Sequence, residues 1–169
     1  MELIETVELA SSASSITFSS IPQTYTDLKL VLSARSTRTT SNYAGFEVKP
    51  NGIATSSSIR LYGLGGSAGT DTTNNQGLIS INANTANTFG NASVYISNYT
   101  SSANKSISSD AVSENNATDA GQTIVASLWN NTAAITSIEI TTDNGAQDFV
   151  AGTTASLYGI TAGGSGTVS

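Results

Sequence analysis

The chain has 169 residues, a net charge of −6, and neither cysteine nor histidine. Disulfides, thiol and imidazole catalysis, and zinc sites built on these residues are therefore excluded. The acidic balance argues against nucleic-acid binding, and no run approaches the roughly 18 apolar residues of a membrane helix.

The first 15 residues begin with acids, which does not fit the basic start of a secretory signal. Four apolar residues mark an extended segment there: Leu3, Ile4, Val7 and Leu9. We expect residues 1–15 to form an N-terminal arm or edge strand that contributes to a neighbouring subunit. A second short run follows at Ile16 to Phe18 and ends before Pro22, because proline lacks the donor that strand pairing needs.

The clearest strand lies where Leu28, Leu30 and Leu32 alternate with Lys29 and Val31. This period of two predicts that the three leucines face a core and that Val31 is half covered. Further strands are predicted at 43–48, 58–64, 78–81, 92–97, 104–112, 123–129, 135–141 and 155–160. The polar stretches 67–76 and 114–121 are predicted to be surface loops.

About ten short strands separated by turn residues indicate an all-β fold, specifically an antiparallel, jelly-roll-like β-sandwich with long polar loops. Residues 16–160 are expected to form one domain, and the glycine-rich residues 161–169 a flexible tail. A parallel β-helix is the rival topology, but it needs a strict repeat that the sequence lacks.

The acidic clusters give little support for a metal site or a catalytic site. The run from Asp143 to Asp148 has oxygen donors around a glycine, as a calcium loop has, but a turn between strands explains it more simply. Asp110, Glu114 and Asp119 are close in sequence, yet no aromatic platform lies beside them for a glycosidase cleft. We therefore expect no enzyme activity, no cofactor and no metal.

Several residues are candidates for contact with a partner. Arg35 and Arg38 suit bidentate contacts to an acidic surface, although a solvated strand end explains them more simply. Trp129 suits a sugar platform or an interface anchor, with core packing as the alternative. The predicted partner interface therefore comprises Leu3, Ile4, Val7, Leu9, Arg35, Arg38 and Trp129.

Three stretches resemble virion structural proteins of tailed phages, especially cyanophages and marine phages. The first is ITFSSIPQTYTDLKLVLSAR at 16–35, the second SLWNNTAAITSIEI at 127–140, and the third VAGTTASLYGI at 150–160. The resemblance implies a jelly-roll-like domain, oligomerisation and no catalysis.

The same resemblance implies a place in the virion. We expect a capsid cement (decoration) protein on the outer surface of the capsid, bound to the major capsid protein as a homo-oligomer, most simply a trimer. The alternative is a tail-fibre, baseplate or receptor-binding module, in which the loops 67–76 and 114–121 contact host glycans. A chain of this length without a long shaft favours cement. Neither nucleic acid nor membrane is an expected partner.

Overall fold

The computed structural model describes residues 1–145 and 147–161, and this part of the chain is all-β. Its only helical element is a 3-10 turn at Asp143–Gly145. No helix among the described residues is long and apolar enough to span a membrane. The strands are β1 (Glu2–Glu8), β2 (Ser15–Phe18), β3 (Asp27–Ser36), β4 (Ala44–Pro50), β5 (Ser57–Leu64), β6 (Ser67–Thr72), β7 (Gly77–Ile81), β8 (Gly90–Ile96), β9 (Lys105–Glu114), β10 (Ala120–Trp129), β11 (Ile138–Thr142) and β12 (Thr154–Ile160).

The strands form two layers that share hydrogen bonds at one corner. The larger layer has the antiparallel order β1-β12-β3-β8-β9-β10-β5-β6, and the smaller has the antiparallel order β2-β11-β4-β7. The end of β3 pairs in parallel with β7, where Arg35 lies opposite Ser80. Hydrogen bonding therefore runs through one mixed 12-stranded sheet.

The core lies between the layers and follows from strand alternation. Leu28, Leu30 and Leu32 of β3 have no exposed surface, whereas Val31 between them is 41% exposed. Phe46 of β4 and Ile140 of β11, in the smaller layer, belong to the same continuous apolar cluster as these leucines. The alternation read from the sequence is thus confirmed for β3.

The predicted all-β class is confirmed, and the layered arrangement is compatible with a jelly-roll-like sandwich. Two details differ. The parallel β3–β7 pair departs from a purely antiparallel sheet. The surface loop predicted at 67–76 is wrong for its first half, because Gly65 and Gly66 adopt positive φ and turn the chain back so that β6 pairs along β5.

The N-terminal segment is an edge strand of its own domain. β1 pairs with β12 of the same chain, with a register shift between Leu3 and Glu5. Leu9 is held by a backbone bond from its N–H to the carbonyl of Thr153 at 2.9 Å. Of the flexible tail expected at 161–169, residues 162–169 lie outside the described part of the chain.

Candidate partner-binding surface

Two of the seven predicted interface residues are buried. Arg35 is 5% exposed and Trp129 is fully buried, so neither presents a side chain to a partner. Both lie at strand ends, where Trp129 points into the core from β10 and Arg35 is covered by the loop between β7 and β8. The expectation that they anchor a partner is corrected accordingly.

Arg35 organises the loop between β7 and β8. Its Nε donates to Oδ1 of Asn82 at 3.1 Å, and its terminal nitrogens donate to the carbonyls of Asn84 at 2.8 Å, Thr85 at 2.6 Å and Thr88 at 3.0 Å. Burial lowers the pKa of this guanidinium. Four acceptors around a rigid donor fork replace the water that the charge has lost, which is how a buried arginine is tolerated.

Trp129 packs beside a buried cation that the sequence did not flag. The Lys105 ammonium lies 5.5 Å from the centre of the indole ring and is 1% exposed. It donates to the carbonyls of Ser101 at 2.7 Å, Ala103 at 2.6 Å and Ala133 at 2.8 Å. Burial lowers the pKa of Lys105. This cation ties two loops together at one end of the sandwich.

The remaining five predicted residues do not share a surface. Leu3 is 53% exposed, while Ile4, Val7 and Leu9 pack partly against the core of their own chain. Arg38 is half-buried, donates from Nε to the carbonyl of Thr40 and approaches Asp143 at 3.9 Å. The structure therefore does not bring the seven residues together.

A different surface carries the strongest apolar signal. On the outer side of the larger layer, five aliphatic side chains from three neighbouring strands point to solvent; we name them the outer apolar face. Leu61 of β5 lies directly opposite Ile124 of β10, and the two are 54% and 51% exposed. The five members are Ile59, Leu61, Val112, Ile124 and Leu128, between 38% and 58% exposed.

A shallow groove runs along this face where small residues make room. Gly63 and Ala68 face each other between β5 and β6, beside Leu61 and Ile124, and the groove measures about 490 Å³. Asp110 of β9 is the cross-strand neighbour of Ile124, so one carboxylate lies beside the apolar residues. A contiguous apolar surface with a polar margin is typical of a protein-binding site.

The inner side of the same strands carries a cluster of hydroxyls among apolar core residues such as Val125 and Trp129. Ser58, Ser109, Thr123 and Ser127 all point inward and are at most 7% exposed. Ser58 donates from Oγ to Oγ of Ser127 at 2.7 Å, and the amide nitrogen of Gln76 reaches the same Ser127 oxygen at 3.4 Å. With these hydroxyls inside and Ile124 and Leu128 outside, part of the apolar surface of β10 is not used by the core of its own chain.

The energy available on the outer apolar face is moderate. Covering a half-exposed aliphatic side chain stabilises a complex by roughly 1 kcal/mol, so five of them supply roughly 5 kcal/mol. Association costs about 4–15 kcal/mol in lost freedom of motion. The face alone therefore gives weak binding, and stable attachment needs additional contacts or several linked copies.

A second, polar cleft lies at one end of the sandwich, between the loop before β4, the β5–β6 turn and the start of β10. Its volume is about 420 Å³. Nδ2 of Asn42 donates to Oδ2 of Asp119 at 2.7 Å. Oδ1 of Asn115 accepts three backbone N–H groups, including that of Asp119 at 3.0 Å, and so fixes the loop that carries this carboxylate.

The acidic residues considered for catalysis are separated by the strands. Asp110 points outward from β9 and Asp119 lies in the polar cleft, while Glu114 ends β9. Among the described residues there is no group of three or more His, Cys, Asp or Glu that could hold a metal ion.

The outer apolar face was missed although the sequence contains its signal. In β10 the apolar residues occupy both parities, with Val125 and Trp129 on one side and Ile124 and Leu128 on the other. Such a strand is apolar on two faces, and only one of them can belong to the core of a two-layer fold. The prediction of one core strand at 123–129 accounts for only one of these two faces.

Comparison with known proteins adds no relative: no family model, no curated protein and no solved structure matches this chain.

Proposed function

We propose that the chain is a structural protein of a tailed-phage particle that decorates the capsid and stabilises the lattice of the major capsid protein. The observation that supports docking is the outer apolar face, where Leu61 and Ile124 lie opposite each other and point to solvent. The resemblance of the three sequence stretches to phage virion proteins supplies the identity of the partner. No catalytic step belongs to this proposal.

The moderate energy of the face suits a lattice. A decoration protein binds where identical subunits repeat, so several weak contacts act together once copies are linked. Protein that binds only the assembled lattice stabilises it by mass action, and this stabilisation opposes the internal pressure of packaged DNA. Neutral aliphatic contacts also keep their strength at high salt, unlike surface ion pairs.

The experiment that tests this proposal counts and locates the protein on purified particles of the phage that encodes it. Quantitative mass spectrometry gives the copy number relative to the major capsid protein, and an electron-dense label gives the position. Hundreds of copies over the capsid support the proposal. Absence of the protein from particles overturns it.

A tail-fibre, baseplate or receptor-binding module is the second candidate, and the polar cleft is the observation that favours it. Asp119 and Asn42 present hydrogen-bonding groups on a loop that Asn115 holds in place, as a site for sugar hydroxyls requires. Binding of host glycans that is lost in Asp119→Ala, together with a few dozen copies at the tail, would favour this candidate over cement.

A further inference from the structure

We propose that two copies of the chain pair through the free edge of β6, antiparallel, with Thr70 at the two-fold axis. This inference goes beyond the virion role, because it concerns the isolated protein in solution. It starts from the ends of the sheet, where backbone groups of an edge strand have no partner and attract another strand.

Within the described part of the chain the sheet has three end strands, β1, β2 and β6, and two of them are protected against pairing. Along β1 the side chains of Glu2, Glu5 and Glu8 are exposed, and the register against β12 shifts between Leu3 and Glu5. A second β1 would bring three carboxylates against three more. β2 has only 4 residues. Charge, irregularity and shortness are the usual means of blocking an edge.

β6 has none of these protections. It has 6 residues, pairs with β5 in continuous register, and contains no lysine or proline. Its one charged residue, Asp71, accepts hydrogen bonds from Nε of Arg60 at 3.0 Å and from a terminal nitrogen of the same guanidinium at 2.5 Å. The charge of the β6 edge is therefore neutralised where a second copy would pair. Over the rest of the surface the net charge of −6 opposes self-association.

The β5–β6 turn determines which backbone groups of β6 are free. Leu64 and Ser67 flank the two-residue Gly65-Gly66 turn, and residues in that position form a hydrogen-bonded pair. Bonded and non-bonded pairs alternate along an antiparallel ladder. The N–H and C=O groups of Ala68, Thr70 and Thr72 therefore point away from β5 and toward a partner strand.

These three residues define one favoured register. A two-fold axis perpendicular to the sheet keeps the outer sides of both copies on the same side, so Thr70 lies opposite Thr70 of the second copy. Ala68 of each copy then lies opposite Thr72 of the other copy. The three opposed pairs exchange two backbone hydrogen bonds each, which gives about six in total. The paired sheet also joins the two outer apolar faces, since Leu61 sits directly beside Thr70.

The pair has a consequence for binding. Two outer apolar faces in one rigid unit double the area offered to a repeating partner, which addresses the moderate energy of a single face. A two-fold contact closes the edge after two copies, whereas the resemblance implied a trimer.

Light scattering coupled to size-exclusion chromatography tests the pair on the full chain, from micromolar to hundreds of micromolar. We expect a concentration-dependent mass of twice the 17.2 kDa chain. Thr70→Pro removes an outward N–H and spares the β5–β6 ladder, and Thr70→Lys sets two cations against each other at the axis. Both are expected to give the mass of a single chain, and Thr70→Val is the matched control that retains the pair.

A single-chain mass for the wild type at every concentration would overturn the proposal, as would a trimer or a pair that persists in both Thr70→Pro and Thr70→Lys.

The register has its own test, because the chain has no cysteine. Thr70→Cys is expected to form an intermolecular disulfide on mild oxidation, since opposed hydrogen-bonded residues lie about 5.5 Å apart. Ala68→Cys, roughly 13 Å from its copy, should not. Equal cross-linking of the two variants would exclude this register. Because no phage particle is involved, these outcomes are independent of the capsid proposal.

Discussion

Leu61 and Ile124 lie directly opposite each other on β5 and β10, and both side chains point to solvent. Cross-strand aliphatic pairs of this kind ordinarily belong to a core. Here the same two strands turn Ser58 and Ser127 inward instead, where their hydroxyls bond to each other at 2.7 Å. The pair Leu61–Ile124 thus contributes little to the stability of a single chain and is available to a partner.

Replacing this pair should therefore leave the fold intact. We expect Leu61→Ser combined with Ile124→Ser to change the free energy of unfolding in urea by less than about 1 kcal/mol. The matched control is Leu30→Ser on the fully buried face of β3, which should lose about 3 kcal/mol or more. A large loss in the surface variant would mean that the face already has a stabilising role within the chain.

The Lys105 ammonium should be important for stability, although no carboxylate among the described residues forms an ion pair with it. Lys105→Ala removes the shared donor of the part-buried carbonyls of Ser101, Ala103 and Ala133 and the contact with Trp129. We expect the free energy of unfolding to fall by about 2–4 kcal/mol. Lys29→Ala, a half-exposed lysine on β3, serves as the control and should change stability by less than about 0.5 kcal/mol. Similar urea midpoints for the two variants would contradict this role.

Arg35 should hold the 82–88 loop through geometry as well as charge. Arg35→Lys keeps the charge but cannot reach Asn82, Asn84 and Thr85 together, so amide hydrogen exchange in 82–88 should accelerate. Arg38→Lys is the control, because its contact with Asp143 is long and partly exposed. Unchanged exchange in Arg35→Lys would show that the loop is held by other contacts.

Stability should fall at alkaline pH through three tyrosines whose pKa the fold raises. Burial raises the pKa of Tyr43 and Tyr99, and the hydrogen bond from Tyr95 to Asp27 raises the pKa of Tyr95, all above the ordinary 10.0. The folded state thus favours the protonated phenol, so this stabilisation is complete below pH 10 and is lost as the pH rises through the raised values. Absorbance titration of tyrosinate and urea unfolding measure the two effects.

Asp27→Asn provides the control for that titration. Removing the carboxylate should lower the pKa of Tyr95 while leaving those of Tyr43 and Tyr99 unchanged, because neither contacts Asp27. A titration in which no tyrosine differs from its ordinary value, in the parent or the variant, would refute the assignment.

The sequence predicts those parts of the fold whose patterns are local. The leucine alternation of β3 identified a buried strand, and the isoleucines at 138 and 140 did the same for β11. The strand β6 is not predicted, because its composition is that of a loop. It becomes a strand by pairing with β5 through the Gly65-Gly66 turn, not through the propensity of its residues.

The candidate site was harder to predict because it depends on tertiary placement. Trp129 and Arg35 have the residue types of interface anchors, yet both are buried. Trp129 has the inward parity of β10, whereas Arg35 has the outward parity of β3 and is covered by the 82–88 loop. Lys105 at the start of a serine-rich strand carries no sequence signal of burial, since only the fold surrounds it with carbonyls. What the sequence does contain is the apolar character of both faces of β10, which marks the outer apolar face.

Restoring the protein to particles that lack it tests the role of the outer apolar face most directly. Wild type, Leu61→Glu combined with Ile124→Glu, and Val31→Glu are each added to such particles, and bound copies are counted by mass spectrometry. Val31 is the matched control, being 41% exposed on β3 and absent from the face. We expect wild type and Val31→Glu to bind alike and the double variant to lose at least tenfold in occupancy. Equal occupancy of all three would contradict docking through the outer apolar face.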